Sequence, residues 1–372
     1  MAKSYEPLNP NTDVTTTRTL LHEAIPLTGT IISGTYGTWP DEGNIKNFSH
    51  GMFQSVYDYP YLSSSANHIF DITVGYDDSS ALSESLGNHT QNGKKIAIYN
   101  QFSQLLVGYN EAGNAVEIFE SDLDITNDDR QMKECVFIPF SRMLTKDQIK
   151  KGTFTIELGT SSFDNAMGTS SAHSGNRIKL QDLKASSAGD VGTAVGGEYG
   201  VLFDATGGVG TLNTSSHGVV FYQAGIVVLS ASAFNASMPD FASGASTMTG
   251  ADAGTGPARS VDMTLKSSSI SGTCDAVRHR IYNISYNNST EINSTIYFCR
   301  MPVNKFNYSA NPTYTSASKL VIKNVASDIP VTYVTTIGLY SANNELLATA
   351  KLSEPLRKDP TNELTLRVRL DY

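Results

Sequence analysis

Leu364-Thr365-Leu366-Arg367-Val368-Arg369-Leu370-Asp371 alternates oily and polar residues without a break, and that period of two decides the reading of the fold. Successive side chains of a strand point to opposite faces. Leu364, Leu366, Val368 and Leu370 therefore make one apolar face, and Thr365, Arg367, Arg369 and Asp371 a charged one. Working upstream, Leu320-Val321-Ile322-Lys323 is a strand candidate, and Val331 to Tyr340 is a second, β-branched and aromatic. Ser341-Ala342-Asn343-Asn344 has the chemistry of a turn, which would reverse the chain into a strand over Glu345 to Leu352. Pro302 to Tyr372 thus reads as a self-contained β-module. A chain closing on a regular strand is expected to have that end tied into a sheet.

The same module carries a resemblance. Lys305-Phe306-Asn307-Tyr308-Ser309-Ala310-Asn311-Pro312-Thr313-Tyr314 resembles a segment of virion structural proteins of contractile-tailed bacteriophages (myovirus type), especially those infecting marine and photosynthetic bacteria. Tyr333 to Tyr340, Leu346 to Ser353 and the closing Leu366 to Tyr372 are similar to the same family, in the same order. Asp58 to His68 and Tyr99-Asn100-Gln101-Phe102 are similar to it more loosely. The resemblance implies a virion protein of the tail, specifically the baseplate, assembled in the host cytoplasm in several copies with other tail proteins as partners. A neck or tail-completion protein, or a fibre connector, fits the same resemblance. The family supplies no catalytic residues to carry over.

Composition agrees with a β-rich chain. At 372 residues the chain is long enough for two or three domains with their own cores. Hydrophobic residues make up 40% and charged residues 17%, below the usual quarter, with Ser, Thr, Asn and Gly filling the gap. Tyr (18) and Phe (15) far exceed Trp (1), which suits strands and interfaces. A net charge of −9 and a pI near 5.3 argue against nucleic-acid binding, which needs clustered Lys and Arg. Met1 to Pro7 has no apolar signal region, and no stretch approaches the ~20 apolar residues of a membrane span. Cys135, Cys274 and Cys299 form no CxxC pair, and reduced buried thiols are expected. Cys274 and Cys299 fall on neighbouring candidate strands, which leaves a bridge between them open.

Four regions follow from pattern and composition. Residues 1–50 form an extended N-terminal arm, with Ile31, Ile32, Tyr36 and Trp39 able to lie across a neighbouring subunit. Residues 51–160 form a mixed α/β domain. Its strands are Ile69 to Val74, within His68 to Tyr76, then Cys135 to Phe140 and Thr153 to Leu158. Its one prominent amphipathic helix lies near 94–109, where Ile98, Tyr99, Phe102, Leu105, Leu106 and Tyr109 recur at helical spacing. Thr145 and Gln148 make a capping-box pair for a brief second helix ending at Gly152. Residues 161–300 form a Gly/Ser-rich β domain, with strands at Tyr199 to Asp204, Gly218 to Tyr222, Gly225 to Leu229 and Asn283 to Arg300 and a mobile surface loop near 242–257. Residues 301–372 are the C-terminal β-module. The fold class is mainly β (α+β), in antiparallel sandwich-like modules.

Candidate chemistry is sparse. Asp122 to Asp129 is acidic enough for a calcium loop, but Asn127 stands where Gly is needed and Lys133 where a bidentate Glu is needed. It reads as a solvated loop, as does Asp77-Asp78. Gly207-Gly208-Val209-Gly210 opens no helix and is a turn rather than a phosphate cradle. The histidines lack HExxH spacing, and there is no Gly-x-Ser-x-Gly elbow. No catalytic, cofactor-binding or metal-ligating residue is assigned, and the chain is expected not to be an enzyme. The candidate interface is Phe306, Tyr308, Tyr314, Tyr333, Tyr340, Arg367, Arg369 and Tyr372, because tyrosines and arginines concentrate binding energy at interfaces. Arg278-His279-Arg280 and Arg357-Lys358 read as solvent-face charges or cross-strand pairs, with contact to an acidic neighbour as the alternative. A carbohydrate-binding or glycan-cleaving protein is the alternative of another class, since carboxylates facing one groove are invisible in sequence.

Overall fold

A computed structural model describes residues 5–26, 42–83, 89–110, 112–124, 130–159, 177–186, 190–205, 215–234, 261–278, 280–309, 315–316, 319–320, 327 and 329–372. Tyr314, Ile31 to Trp39, Ile125 to Asp129, Gly207 to Gly210, Val321 to Lys323 and the 242–257 loop lie outside the described residues. The chain forms two compact units, a larger one of Leu21–Thr290 and a smaller one of Met1–Leu20 with Glu291–Tyr372.

The strands of the first half are β1 (Val14–Pro26), β2 (Ile45–Asn47), β3 (Gln54–Tyr57), β4 (His68–Tyr76), β5 (Glu134–Pro139) and β6 (Thr155–Gly159), with helix α1 (Asn92–Leu106) between β4 and β5. The second half adds β7 (Arg177–Gln181), β8 (Gly197–Asp204), β9 (Ser216–Phe221), β10 (Ile226–Ser230) and helices α2 (Val261–Ser267) and α3 (Ile270–Arg278). The long β11 (Ile281–Met301), then β12 (Thr332–Tyr340), β13 (Leu346–Lys358) and β14 (Leu364–Asp371) complete the chain. The fold is mainly β, as the alternating patterns predict.

In the larger unit the sheet runs β11-β6-β7-β8-β9-β10-β5-β4-β3-β2, every neighbour antiparallel. The composition change near residue 160 falls inside this sheet, where Thr155–Gly159 pairs with Arg177–Gln181 in unbroken register. Ile226-Val227-Val228-Leu229 is buried at every position, the continuous apolar run of a strand covered on both faces. Tyr99, Phe119, Phe137 and Phe221 fill the core, with Phe102 stacked on Phe137 at 4.3 Å.

Helix α1 crosses β4 at Gly75, where a Cβ would stand 2.6 Å from the Lys95 carbonyl. The absent side chain is what lets helix and strand approach this closely. The buried stripe of α1 is Lys95, Ile98, Tyr99, Ser103 and Leu106, which differs from the expected one. Leu105 is exposed, and Tyr109 lies beyond the helix, because Gly108 takes φ +107° just after its end. Lys95 replaces them in the interior. Its ammonium donates to the Leu265 and Ser268 carbonyls at 2.6 and 2.7 Å, satisfying the C-terminal end of α2.

Several expectations are corrected here. The helix predicted to run from Thr145 to Gly152 is not formed; a single helical turn, Arg142–Thr145, lies before it. It stops there because Gln148 and Ile149 pair with Ser289 and Asn288 of β11. Cys274 lies on α3 rather than on a strand, buried with its Sγ 3.4 Å from the Ile72 carbonyl. Cys274 and Cys299 are both free, so the bridge left open by the sequence is not made. Arg278 and Arg280 are buried, not on a solvent face. Arg278 pairs with Asp275 at 2.8 Å, and Gln54 donates to the same carboxylate at 2.7 Å. Asp77 is likewise buried, accepting from the Ser79 amide and hydroxyl, while Asp78 is exposed.

In the smaller unit β14 pairs with β11 from Asp371↔Ser294 to Leu364↔Met301. Leu364, Leu366, Val368 and Leu370 are covered to varying degrees, while Thr365, Arg367, Arg369 and Asp371 are exposed, as the period of two predicts. Tyr372 exchanges both main-chain hydrogen bonds with Asn293 at 2.9 and 3.1 Å. β12 and β13 form a hairpin closed by Ser341 to Glu345, with Asn344 in the left-handed region at φ +64°. β13 runs six residues beyond the predicted Leu352 because Pro355 falls in an irregular stretch, between the pairs Thr336↔Lys351 and Val334↔Leu356. There the ladder needs no amide from proline.

Candidate functional site

The smaller unit has regular strands but little interior. Among the described residues its buried apolar side chains are Ile296, Met301 and Val368, whereas the hydrophobic cluster from Ile45 to Tyr286 belongs wholly to the larger unit. Among the described residues β12 and β13 pair only with each other. A two-stranded hairpin is marginal in water by itself. This one also shows Tyr333 (58% exposed) and Leu347 (68% exposed) to solvent.

Beside the hairpin is a groove of about 900 Å³. Its walls are the Tyr5–Leu8 segment, the Cys299–Met301 end of β11, the Phe306–Ser309 turn, Leu366 of β14, the Thr336–Tyr340 run of β12 and Ser341 of the turn after it. Five consecutive strand residues, Thr336 to Tyr340, line it, so the groove follows the strand rather than one of its faces. Tyr5 and Tyr340 close one end with ring centroids 4.7 Å apart. Phe306 holds φ +60°, a conformation that a bulky residue rarely adopts.

Lys358 explains how that turn is held. It is 0% exposed, and its ammonium donates to Asn307 Oδ1 at 2.6 Å, to the Asp359 carbonyl at 2.9 Å and to the Val303 carbonyl at 3.3 Å. Asn307 returns its own Nδ2 to the Val303 carbonyl at 2.8 Å. A buried ammonium with three acceptors fixes the Pro302–Asn307 backbone and presents Phe306 to the groove. The predicted basic pair therefore divides. Arg357 is a surface charge, 3.2 Å from Asp359, while Lys358 is internal, contrary to its reading as a solvent-face charge.

The predicted interface residues fall in three places. Phe306, Tyr308 and Tyr340 line the groove together. Tyr333 lies on the hairpin outside it. Arg367 and Arg369 project from β14, where Arg369 pairs with Asp371 at 2.6 Å and donates to Ser294 Oγ at 3.0 Å. Tyr372 is 75% exposed, with its hydroxyl 3.1 Å from Thr295 Oγ1. Asp371 is held below the usual carboxylate range, first by the Ser294 hydroxyl and then by Arg369.

Sequence reasoning missed Tyr5, Glu6 and Lys358. The first two belong to the Tyr5–Leu8 segment, far upstream of the other groove walls, so no local pattern links them. Lys358 carries no periodicity signal. Glu6 pairs with Lys305 at 2.5 Å, Asp13 with Arg300 at 2.9 Å, and Arg18 with Glu291. The Asn9 amide and then the Arg300 guanidinium hold the Asp13 carboxyl below its ordinary value. Burial pushes the half-buried Cys299 thiol up, and the nearby Asp13 charge adds to that. Among the described residues no three His, Cys, Asp or Glu side chains cluster as metal ligands, and no helix is long and apolar enough to cross a membrane. Comparisons with family models, with curated proteins and with solved structures find no match.

Proposed function

We propose that this chain is a structural subunit of a contractile bacteriophage tail, within it of the baseplate, and that the smaller unit is its main assembly surface. The ordered run of similar C-terminal segments supports the tail reading. One structural observation carries the assembly role: the β12–β13 hairpin holds regular strand geometry while burying almost nothing of its own chain. Ordered, aromatic and unburied is the state of a surface that other subunits cover. The work is mechanical, holding neighbours in register, with other tail proteins as partners and no catalytic step. Neck and fibre-connector positions use the same surface.

The test is particle content and location. Mass spectrometry of purified phage, with antibody labelling against the 329–372 region, should detect the chain at the tail end at a fixed copy number. Purified virions lacking it would sink the reading. A second reading, sugar binding, is favoured by one observation, the aromatic walls supplied by Tyr5, Phe306, Tyr308 and Tyr340. Saturable binding of the purified chain on glycan arrays, lost in Tyr308→Ala, would favour that reading over a purely mechanical one.

A further inference from the structure

We infer that Tyr5–Leu20 is an exchangeable arm, which in assemblies docks onto the Glu291–Tyr372 portion of a second copy through the contacts it makes within its own chain. This rests on the smaller unit being an assembly surface and deepens that reading by naming the partner.

Four observations converge. First, the arm belongs to a unit from which the whole Leu21–Thr290 stretch separates it in sequence. A unit completed by a distant piece of chain can be completed equally by that piece of another copy. Second, no residue from Tyr5 to Leu20 is buried, so release exposes little apolar surface to water. Third, the attachment is a ladder of complementary charges. Glu6, Asp13 and Arg18 on the arm face Lys305, Arg300 and Glu291, so acidic, acidic, basic meets basic, basic, acidic. That order fits in one direction and register only, within a chain or between chains. Fourth, the main chain takes part, since the Phe298 amide donates to the Asp13 carbonyl at 2.8 Å and β1 adds to the β11 edge. Strand addition of this kind gives affinity through the backbone, while side chains set specificity.

Exposed ion pairs hold weakly, so what exchange must open is the pairing of β1, a strand that runs on through Leu20 to Pro26, with β11. An exchanged pair of copies makes the same contacts as two closed monomers. What differs is the loss of independent motion, which rising concentration offsets.

The test uses two full-length variants. One reverses the arm, Glu6→Lys with Asp13→Arg. The other reverses the acceptor, Arg300→Glu with Lys305→Glu. Within either variant like charges oppose, so each alone should be monomeric and lose its arm quickly to limited proteolysis. In an equimolar mixture each arm fits the other copy. The expected result is a 1:1 complex in analytical ultracentrifugation with loss of the rapid arm cleavage. A mixture that sediments as two monomers overturns the proposal.

A covalent trap keeps the idea testable should either charge variant misfold. Tyr5→Cys with Tyr340→Cys, in a Cys299→Ser background, is oxidised across a range of protein concentrations. Dimer-sized bridged species that increase with concentration support exchange. Only monomer-sized bridged protein, or no bridge at all, overturns it. Both experiments use the purified chain alone. Arm exchange in a protein absent from phage particles would sink the tail assignment and leave this inference standing.

Discussion

The two units hold themselves in order by different means. In Leu21–Thr290 the sheet and helices enclose a continuous cluster running from Ile45 to Tyr286, with Phe137 and Tyr99 at 0% exposure. Among the described residues of the smaller unit, order comes from strand ladders, a tight turn and one buried ammonium, with three buried apolar side chains behind them. Hydrophobic burial is the dominant favourable term in folding, so the larger unit supplies its own stability. The smaller unit leaves Tyr5, Phe306, Tyr308, Tyr333, Tyr340 and Tyr372 exposed, where a neighbour can cover them. The contrast separates what the chain uses to fold from what it has available for binding.

The largest effect should come from attacking the larger unit. Phe137→Ala removes a ring stacked on Phe102 and flanked by Tyr99 and Phe119. It should cost about 3–5 kcal/mol, as buried Phe→Ala changes do. Calorimetry or chemical denaturation should register it as a clear fall in midpoint. A loss under about 1 kcal/mol would break the comparison, because the cluster would then not be what holds this unit.

Asp182 offers a pH test of the same unit. Its carboxylate accepts from the Gly152 amide at 2.8 Å, the Phe154 amide at 2.9 Å and the Tyr222 hydroxyl at 2.9 Å. Burial outweighs these donors and raises its pKa from the ordinary 3.8 to about 6. The folded form therefore binds the proton more tightly than the unfolded one. The stabilisation is complete below about pH 3.8 and is lost as pH rises through about 6, worth on the order of 3 kcal/mol across that window. Denaturant midpoints of wild type and Asp182→Asn from pH 3.5 to 7.5 should differ by this slope, since the other titrating groups are common to both. The substitution also disturbs the amide contacts, so the slope and not the level is the readout.

The strands were legible wherever local chemistry set them. β4 contains the predicted Ile69 to Val74 and extends it by a residue or two at each end, and β14 keeps the alternation of Leu364 to Asp371 residue by residue. What stayed hidden depends on partners distant in sequence. Lys95 looks like a solvent residue on a helix until the carbonyl ends of α2, some 170 positions on, are seen to receive its ammonium. The segment Val261 to Arg278 lacks a long apolar stripe, and its two short helices are fixed by packing. Arg278 and Arg280 looked like surface charges because the burial of the local Asp275–Arg278 pair against Gln54, and the Gly159 carbonyl that accepts from Arg280, are tertiary facts. At the candidate site, residue type picked out Phe306, Tyr308 and Tyr340. Their convergence with Tyr5 into one groove needed the fold.

Lys358 gives the intermediate effect, and it falls on the smaller unit. Lys358→Met keeps the stem but removes the donor, leaving Val303, Asn307 and Asp359 short of a partner. The expected loss is about 1–3 kcal/mol, the usual cost of stranding buried polar groups. Amide hydrogen exchange should quicken over Val303 to Tyr308, with the larger unit unchanged. Protection lost equally in β5 and β10 would show that the two regions do not differ in the way proposed.

Tyr333→Ala with Leu347→Ala should have the smallest effect on the isolated chain. Both side chains are mostly in water, so their removal should leave stability within about 0.5 kcal/mol. In an assembly the same truncation removes groups of the kind that act as interface anchors, where losses of about 2 kcal/mol or more per residue are common. The double variant should thus melt like wild type yet fail to co-sediment with tail proteins or with its own copies. A variant that assembles normally would show that this hairpin face is simply exposed, and interest would shift to the groove and its arm. A variant that melts early would mean that the hairpin supports its own unit, and the contrast between folding surface and binding surface would have to be redrawn.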